Sequence, residues 1–305
     1  MFMRESPAPL DGLNIPHQTG VPLAPLTWYR VGGPAEILAQ PTHVKQLSNL
    51  TARCRQDNVP LYPLGRGANL LVADAGVKGV VVQLNAPAFR QFRIRANRVR
   101  AGAGFDLMQL VLKSAQAGLS GLECLAGIPA TVGGAVRMNA GGTFGEIGPS
   151  VSRIRVLDES GTVIDLDRKQ LQFSYRKTNL ESRLILDVEF DLIPADNNKL
   201  VQRVKEIFAS KAKSQPLAAH SPGCAFKNPP HVPAGVPPTA GQLIDEAGLK
   251  GFRSGKAEVS QRHANFILAN PGASAAHIVA VMQHVEQTVE ARFGVKLERE
   301  IILWP

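Results

Sequence analysis

Residues 118–148 are the part of the chain that most constrains its fold. They contain nine of the 28 glycines in about a tenth of the length, and almost no charge. The glycines alternate with apolar residues such as Leu122, Ile128 and Val136, which a flexible linker would leave in water. Because glycine lets the backbone approach a ligand closely and turn N–H groups toward an anion, the segment predicts a buried cradle for a large phosphate-bearing cofactor.

Composition indicates a globular protein with two or three subdomains. The chain has 305 residues, of which 44% are hydrophobic and 19% charged, enough for a sizeable core. The net charge is +9, yet the 34 Lys and Arg residues are scattered. The densest basic stretch, residues 90–100, alternates basic with apolar residues and predicts a half-buried strand pair with a charged outer face. We therefore expect anionic small molecules, and no nucleic acid, as partners.

Cysteine usage and hydropathy predict a cytoplasmic protein without a membrane partner. The cysteines Cys54, Cys124 and Cys224 are odd in number and lack a spacing that suits zinc. The first residues lack an apolar stretch of signal-peptide length, and no run approaches the roughly 18 apolar residues of a membrane span. Cys54 falls on the apolar face of a predicted helix and is expected in the core.

Metal and hydrolytic sites are not supported. His277 and His284 share a helical face and His263 is isolated, so we expect them to be ordinary surface or core histidines. Paired carboxylates at an informative spacing and a Ser/His/Asp arrangement are both lacking in the sequence.

Periodicity and turn residues predict mixed α and β structure without strict βαβ alternation. Prolines in residues 1–25 predict an extended arm. Seven prolines exclude regular structure from residues 214–238, and a boundary is expected near residue 200. Helices are expected over residues 42–57 with Thr42 as cap, 105–117, 199–213, 240–247 and 274–293, and strands over 77–84, 151–158, 162–166, 184–193 and 295–304.

Known phosphate-binding fingerprints do not accompany the glycine segment. Residues 65–70, GRGANL, have two of the three glycines of a dinucleotide-binding turn and no clear helix follows, and there is no Gly-Lys-Ser/Thr P-loop. A Rossmann domain is therefore disfavoured. GRGANL alone is equally compatible with an ordinary tight turn, but with the glycines of residues 32–33, 102–104 and 127–142 it could converge on one extended cofactor.

Three short segments place reactive side chains beside Gly, Pro or aromatic residues. Each is weak alone and has a plain structural alternative: a surface stack of an aromatic ring and a cation, a small buried residue, and solvent-facing strand positions. The segments are FSYRKTN with Tyr175 and Arg176, SPGCAFKNP with Cys224, Lys227 and Asn228, and LEREI with Glu298 and Glu300.

Seven motifs, taken in order, resemble the UDP-N-acetylenolpyruvoylglucosamine reductase family. The resemblance covers roughly residues 25 to 302, and the ordered set is far more specific than any one motif. The short interval between Tyr175 and Cys224 resembles the subclass that lacks an inserted tyrosine-bearing loop over the substrate. The motifs are TWYRVGGPAE, PLGRGANLLVAD, GIPATVGGAVRMNAGG, FSYRKTN, SPGCAFKNP, AGQLIDEAGLKG and VSQRHANFILAN.

The resemblance implies an α+β protein: a two-subdomain FAD-binding fold of the vanillyl-alcohol oxidase type followed by an α+β substrate-binding domain. The expected divisions are an arm over residues 1–25, FAD-binding subdomains over 26–85 and 86–200, and the substrate-binding domain over 201–305. It further implies an FAD flavoprotein that uses NADPH to reduce UDP-N-acetylglucosamine enolpyruvate to UDP-N-acetylmuramate, a step of peptidoglycan synthesis, and we expect a monomer.

The resemblance also implies which residues form the site. The implied substrate-binding residues are Tyr175, Lys227 and Asn228. The implied cofactor-binding residues are Gly65, Arg66, Gly67, Ala68, Asn69, Leu70, Gly127, Ile128, Pro129, Thr131, Gly133, Gly134 and Met138.

The chemistry of such a reductase explains the implied catalytic residues. Hydride addition to an enol ether pushes negative charge into the substrate carboxylate, where fixed positive or protonated partners stabilise it. Arg176 and Glu300 match the family's residues for that task, with Glu298 as a solvent-facing neighbour. A proton is then needed at C2, and Cys224 stands where the family commonly has serine; a thiol, with a reference pKa near 8.5, is the far stronger acid.

A second departure is Ile302, which stands where the family often has arginine, so a flavin contact made by that arginine is not carried over. Two alternatives stay open. An alcohol oxidase on the same fold would be reoxidised by oxygen alone, whereas a basic nucleic-acid-binding or scaffold protein without flavin would be colourless and bind polyanions with a steep salt dependence.

Overall fold

A computed structural model describes residues 9–216 and 219–305 of the chain. The first eight residues of the expected arm, and residues 217–218 of the proline-rich segment, lie outside the described residues. The α-helices in the described ranges are α1 (Val44–Gln56), α2 (Leu107–Gln116), α3 (Val132–Arg137), α4 (Asn197–Ser214), α5 (Ala240–Glu246) and α6 (Ala275–Phe293). The strands are β1 (His17–Pro22), β2 (Pro34–Ala39), β3 (Leu61–Pro63), β4 (Leu70–Val72), β5 (Val77–Val82), β6 (Phe92–Arg95), β7 (Arg98–Gly102), β8 (Leu119–Ser120), β9 (Gly141–Gly142), β10 (Gly145–Glu146), β11 (Val151–Leu157), β12 (Val163–Asp167), β13 (Phe173–Ser174), β14 (Lys177–Thr178), β15 (Leu184–Asp191), β16 (Ile193–Pro194), β17 (Arg253–Ser254), β18 (Ala257–Val259), β19 (Ile267–Ala269) and β20 (Ile302–Trp304).

The chain forms two compact units, each assembled from separate stretches. The first comprises Met1–Val21, Ala35–Gly65 and Lys78–Phe208, and the second comprises Pro22–Pro34, Arg66–Val77 and Ala209–Pro305. The four divisions expected from the sequence are finer than these two units and stay predictions.

The larger sheet of the first unit has five antiparallel strands in the order β12-β11-β15-β7-β6. As predicted, the basic stretch forms a strand pair: Arg95 lies opposite Arg98, while Val99 and Ala101 are buried. The strands predicted over residues 151–158 and 162–166 are confirmed as β11 and β12, and they form a hairpin with Leu157 opposite Val163. One hydrophobic cluster joins the buried face of this sheet to α2, α3 and α4.

A second cluster of the first unit lies on the sheet β1-β2-β5-β3 and helix α1. Cys54 of α1 is 2% exposed, which confirms its predicted core position. The predicted cap was wrong by one residue: His43 is the N-cap and accepts from the Gln46 amide, whereas the Thr42 hydroxyl donates to the Gln46 side chain. Part of the expected arm is the edge strand β1, and Ile15 beside it is buried.

The second unit contains the sheet β17-β18-β19, helices α5 and α6, and the parallel pair β4–β20. Asp74 accepts from the first amides of α6, Ala275 and Ala276, at 2.8 and 3.0 Å. The strand predicted over residues 295–304 is limited to β20. Val295 and Ile301 keep the buried alternation of a strand, but the backbone of residues 298–300 pairs only briefly with residues 225–227 and so forms no continuous ladder.

Candidate functional site

A cleft in the first unit gathers several of the predicted cofactor-binding residues. Gly65, Thr131, Gly133 and Gly134 all lie in its wall, and the cleft encloses about 590 Å³ when the open solvent at its mouth is included. The other lining residues are Pro63, Leu64, Val82, Leu84, Asn85, Ala103, Gly104, Arg137, Leu184 and Ile185.

Glycines shape this cleft by letting neighbouring segments approach closely. A Cβ on Gly65 would stand 2.8 Å from Thr131 Oγ1, one on Gly133 would stand 2.8 Å from Ala103 Cβ, and one on Gly104 only 1.9 Å from the Leu84 carbonyl oxygen. Side chains at these positions would therefore force the cleft walls apart. The space that the missing side chains leave suits a bound group that lies close to the backbone.

The predicted role of the glycine N–H groups needs correction. The Gly133 amide donates to the Ala103 carbonyl at 2.9 Å, the Gly134 amide to Thr131 Oγ1 at 3.3 Å and the Gly104 amide to the Phe89 carbonyl at 2.9 Å. These donors are engaged within the protein: the Gly133 bond holds α3 against the turn after β7, the Gly134 bond caps α3, and the Gly104 bond ties that turn to Phe89. Their glycines contribute space to the cleft rather than donors.

Arg137, at the end of α3, is a cleft residue that the sequence interpretation missed. Its guanidinium donates to the Glu181 carbonyl at 2.8 Å and to the Arg183 carbonyl. Burial lowers the pKa of Arg137, and the Glu181 carboxylate opposes the shift; an arginine nonetheless keeps its charge in proteins. Among the described residues it is the one cation that lines the cleft. A sequence signal existed, because Arg137 is the only Lys or Arg in residues 118–148.

The remaining predicted residues of the glycine segment are not part of the cleft wall. Gly127, Ile128 and Pro129 precede α3, and Ile128 packs against the larger cluster of the first unit. Met138 is the C-cap of α3, where its amide donates to the Gly134 carbonyl at 3.2 Å.

Tyr175 and Arg176 form the two-residue turn between β13 and β14. Arg176 has a φ of +55°, a conformation that side chains other than Gly, Asn and Asp rarely adopt. Its guanidinium lies 5.2 Å from the centre of the Tyr175 ring and donates to the Gly141 carbonyl at 2.9 Å. The stack of an aromatic ring and a cation, which the sequence left open as the structural alternative for this segment, is present, and the site roles of both residues stay predictions. An unusual backbone held at a functional candidate is consistent with a role beyond the fold.

Residues 66–70 belong to the second unit and are built into its fold. A Cβ on Gly67 would stand 2.5 Å from the Leu26 carbonyl oxygen, and the Trp28 amide donates to the Gly67 carbonyl at 3.1 Å. Gly67 is therefore needed for close backbone packing. Arg66 is exposed, Ala68 is half-buried, and Leu70 is 5% exposed at the start of β4.

Cys224 begins a short backbone segment, residues 224–227, that lies between two others. On one side the Ala225 amide donates to the Asn265 carbonyl at 2.7 Å. On the other side the Glu300 amide donates to the Ala225 carbonyl, and the Lys227 amide to the Glu298 carbonyl, both at 2.8 Å. The second unit thus brings Cys224, Lys227 and Glu300, three of the predicted site residues, into one hydrogen-bonded group.

Two ion pairs and an Asn cap fix the surroundings of this group. Lys227 Nζ lies 2.5 Å from a Glu298 carboxylate oxygen, and the Glu298 side chain is 73% exposed, in line with its expected solvent-facing position. Arg299 makes a bidentate pair with Glu286 of α6 at 2.5 and 2.8 Å, which raises the pKa of Arg299. Asn228 accepts from the Ala240 amide at 3.1 Å, at the start of α5.

Metal and membrane features are lacking in the described parts of the chain. No cluster of His, Cys, Asp and Glu within residues 9–216 and 219–305 could hold a metal ion. His277 forms a capping box with Ser274, and His284 stacks on Phe252 with ring centres 3.9 Å apart, as ordinary structural histidines do. Across the same residues, every helix is too short or too polar to cross a bilayer.

Comparison with known proteins matches both parts of the chain. Residues 35–167 match the model of an FAD binding domain, and residues 215–304 match the UDP-N-acetylenolpyruvoylglucosamine reductase C-terminal domain. UDP-N-acetylenolpyruvoylglucosamine reductase of Heliobacterium modesticaldum is 40% identical over 92% of this chain and 88% of its own length. The enzyme of Moorella thermoacetica is 38% identical over 96% of this chain and 95% of its own.

Similarity extends to a solved structure. The crystal structure of UDP-N-acetylenolpyruvylglucosamine reductase from Thermus caldophilus superposes with a TM-score of 0.80 at 36% identity, over 95% of this chain and 99% of that one. The expected α+β fold with an FAD-binding domain and a C-terminal domain is thereby confirmed. The chain belongs to the UDP-N-acetylenolpyruvoylglucosamine reductase family of FAD-dependent oxidoreductases.

Proposed function

We propose that this protein reduces UDP-N-acetylglucosamine enolpyruvate to UDP-N-acetylmuramate with electrons from NADPH, through a bound FAD, in the synthesis of peptidoglycan precursors. The observation that carries the proposal is the joining of Cys224 and Glu300 through Ala225, whose carbonyl accepts from the Glu300 amide at 2.8 Å. The proton donor and the carboxyl group proposed for the reaction thus lie on two backbone segments that are hydrogen bonded directly to each other. Similarity along nearly the whole chain supports the same activity.

The glycine-lined cleft fits the phosphate-bearing part of FAD. Gly65, Gly104 and Gly133 keep backbone atoms close together without filling the cleft, and Arg137 supplies a charge of the sign that a pyrophosphate requires. The predicted contacts of residues 66–70, 127–129 and 138 with FAD stay part of the proposal. A bound FAD would supply the hydride-transfer chemistry between NADPH and the substrate.

Arg176 and Glu300 have the proposed task of stabilising negative charge on the substrate carboxylate. Arg176 suits a carboxylate because its guanidinium is planar and always charged. Its hydrogen bond to the Gly141 carbonyl and its φ of +55° hold the side chain in place before substrate binds. Glu300 can donate a hydrogen bond to that carboxylate only in its protonated form, and it is half-buried.

Cys224 has the proposed task of delivering the proton to C2. It is half-buried, and its neighbour Ala225 is hydrogen bonded on both sides, so the backbone that carries the thiol has a defined position. A thiol transfers a proton more readily than the serine hydroxyl that the family commonly uses, because it is the stronger acid. The sulfur is left as a thiolate, which regains a proton from water before the next turnover.

Lys227, Asn228 and Tyr175 are proposed to bind the sugar and diphosphate of the substrate. The Lys227 side chain is 20% exposed and its ammonium group is paired with Glu298, so the substrate would meet an oriented cation whose charge is partly balanced. Asn228 and Tyr175 are exposed and offer polar groups. We further propose that the enzyme works in the cytoplasm as a monomer without a nucleic-acid partner.

An anaerobic visible spectrum tests the proposal. The purified protein is reduced with one equivalent of NADPH and mixed with UDP-N-acetylglucosamine enolpyruvate. We expect bleaching of the flavin band and then its return. Bleaching without recovery would remove the proposed substrate or show that Cys224 does not deliver the proton. In a separate run, rapid reoxidation when air is admitted without substrate would indicate an oxidase. A colourless protein that FAD cannot reconstitute contradicts the proposal altogether.

A further inference from the structure

Asn265 makes an unusual set of contacts with the segment that follows Cys224. Its side chain is 3% exposed. Its Oδ1 accepts from the Phe226 amide at 2.9 Å, and its Nδ2 donates to the Phe226 carbonyl at 2.8 Å. Its own carbonyl accepts from the Ala225 amide at 2.7 Å. One residue therefore satisfies three backbone groups of two successive residues.

The Asn265 carboxamide provides the donor and the acceptor that a peptide group of a neighbouring strand would otherwise provide. A strand beside residues 224–227 would pair through its backbone over several residues, but Pro222 and Pro229 lack the N–H that a ladder needs. Backbone pairing with the chain around Asn265 is reduced to a single bridge between Cys224 and Phe266. The side chain of Asn265 extends that bridge with a donor and an acceptor that match one residue.

Local contacts fix Asn265 itself. Its amide donates to His263 Nδ1 at 3.3 Å, and the next residue, Phe266, is tied to Ser260, whose amide donates to the Phe266 carbonyl at 2.8 Å. The carboxamide therefore starts from a fixed backbone. Its bonds to Phe226 transmit that position to the segment that carries Cys224.

The opposite edge of the same segment holds the other catalytic candidate of the second unit. The Ala225 carbonyl accepts from the Glu300 amide at 2.8 Å, and Phe226 forms a bridge with Arg299. A displacement of residues 225–226 would thus move Cys224 and Glu300 relative to each other. Neither leucine, which lacks both polar groups, nor aspartate, which lacks the donor, could hold the segment in the same way.

We propose that Asn265 is a positioning residue that sets the placement of Cys224 and Glu300 through its paired hydrogen bonds to Phe226. The chemical roles of Cys224 and Glu300 rest on the proposed function. The inference that Asn265 sets their positions is independent of it. A misplacement of about 1 Å at a reacting group can reduce a rate by about a hundredfold, so small movements of this segment matter.

The test uses the variants Asn265→Asp and Asn265→Ala in the full-length protein. Asn265→Asp keeps the acceptor but replaces the donor by an oxygen that repels the Phe226 carbonyl. Asn265→Ala removes both hydrogen bonds without adding that repulsion, and it replaces the aspartate variant if that variant does not fold. The matched control is Asn139→Asp. Asn139 is a fully buried Asn of the first unit that also donates to one backbone carbonyl, of Ser174, and accepts from one backbone amide, of Gly148.

The first measurement is the alkylation rate of each cysteine by iodoacetamide across a range of pH, resolved by peptide mass spectrometry. We expect the pH profile of Cys224 labelling to shift in the Asn265 variants and its rate to change about fivefold or more, while Cys124 of the first unit serves as the internal reference. In Asn139→Asp the Cys224 profile should stay that of the wild type. This readout needs neither flavin nor substrate, so it decides the inference even if the proposed reaction is wrong.

The second measurement separates the two half-reactions. With Asn265→Asp we expect reduction by NADPH within about threefold of wild type and reoxidation by the enolpyruvyl substrate slowed by about a hundredfold. An unchanged Cys224 profile overturns the inference. The inference is also overturned if the rates of both half-reactions fall equally and in proportion to the fraction of unfolded protein, because Asn265 would then be a purely structural residue.

Discussion

The carboxamide of Asn69 donates a hydrogen bond to the main-chain carbonyl of Glu300, with a distance of 3.0 Å between Nδ2 and the oxygen. The Asn69 carbonyl in turn accepts from the Ile302 amide at 3.1 Å, where β20 begins to pair with β4. A residue predicted to bind cofactor therefore supports the backbone of a residue predicted to be catalytic. Ile302 contributes its amide to this arrangement, a role that does not depend on the arginine that the family often has there.

The variant Asn69→Ala tests this link. Losing one partly buried hydrogen bond should reduce the free energy of unfolding by about 1 kcal/mol, and the freed Glu300 backbone should slow reoxidation by substrate more than reduction by NADPH. Denaturant unfolding and the two half-reactions measure these effects. Asn97→Ala, which removes a similar bond to the Leu192 carbonyl in the first unit, is the control; the same kinetic change in both variants would contradict the link.

Variants of Cys224 test the proton donor. Cys224→Ser should retain substantial activity, because serine is the residue that the family commonly uses. Cys224→Ala should still be reduced by NADPH, but turnover should fall by about a hundredfold or more, the scale of a general-acid contribution. Stopped-flow spectra of each half-reaction measure the two steps. A normal reoxidation rate in the alanine variant would remove Cys224 from the mechanism.

Arg137→Met should weaken FAD binding to the apoprotein by about tenfold, since a charge-assisted hydrogen bond to a phosphate is lost. Riboflavin has no phosphate, so its affinity should change little. Fluorescence titration with each flavin measures the difference, and Arg137→Lys should fall between. Arg168→Met, in the same unit but outside the cleft wall, is the control. An equal loss for both flavins would mean that Arg137 only ties α3 to residues 181–183.

The thiols should differ in reactivity. Burial raises the pKa of the Cys54 thiol to about 11, and the Asp57 carboxylate adds to the shift. Since only the thiolate reacts, iodoacetamide at pH 8 should modify the half-buried Cys124 and Cys224 in the native protein and reach Cys54 only after unfolding. Mass spectrometry of the labelled peptides checks the order, and native labelling of Cys54 at a similar rate would contradict it.

His263 should make stability depend on pH below neutrality. Burial lowers the pKa of His263 below its ordinary value of 6.5. Above that pH the ring is neutral in both states and has no effect. As the pH falls through 6.5 toward the lower pKa of the folded state, the unfolded chain binds the proton first, so stability is lost.

The variant His263→Asn checks this dependence, because the asparagine Oδ1 can replace Nδ1 as acceptor for the Asn265 amide. Urea unfolding at pH 7.5 and 5.5 should show a smaller loss of unfolding free energy in the variant than in the wild type. Equal losses would assign the acid sensitivity to other groups.

Much of the secondary structure was predictable because its signals are local. The apolar face of α1 and its buried Cys54, the alternation of β6 and β7, and the hairpin of β11 and β12 all follow from side-chain periodicity and turn residues. The exact cap of α1 was not predictable, since Thr42 and His43 both have side chains that can bond to Gln46. The order of motifs was sufficient to identify the family.

The site was less predictable, because its contacts join residues far apart in the chain. Asn265 lies 39 positions from Phe226, and Asn69 lies 231 positions from Glu300. Local patterns give no sign of such pairs. Nor could the sequence reveal that the Gly104, Gly133 and Gly134 amides already have partners, since that depends on how α3 packs against its neighbours.

Five of the six described helices, the strands of the larger sheet, the family and the residue types available for chemistry were accessible from the sequence, because these follow from periodicity and from ordered motifs, whereas the short helix α3 and most of the short strands were not predicted. The folded structure was needed to show that Gly104, Gly133 and Gly134 supply space rather than donors, that Arg137 lines the cleft, and that the segment of Cys224 is hydrogen bonded to Glu300 on one side and to Asn265 on the other. These features depend on backbone hydrogen bonds and close packing between segments that are distant in the chain, so the partners are set only when those segments meet in the fold.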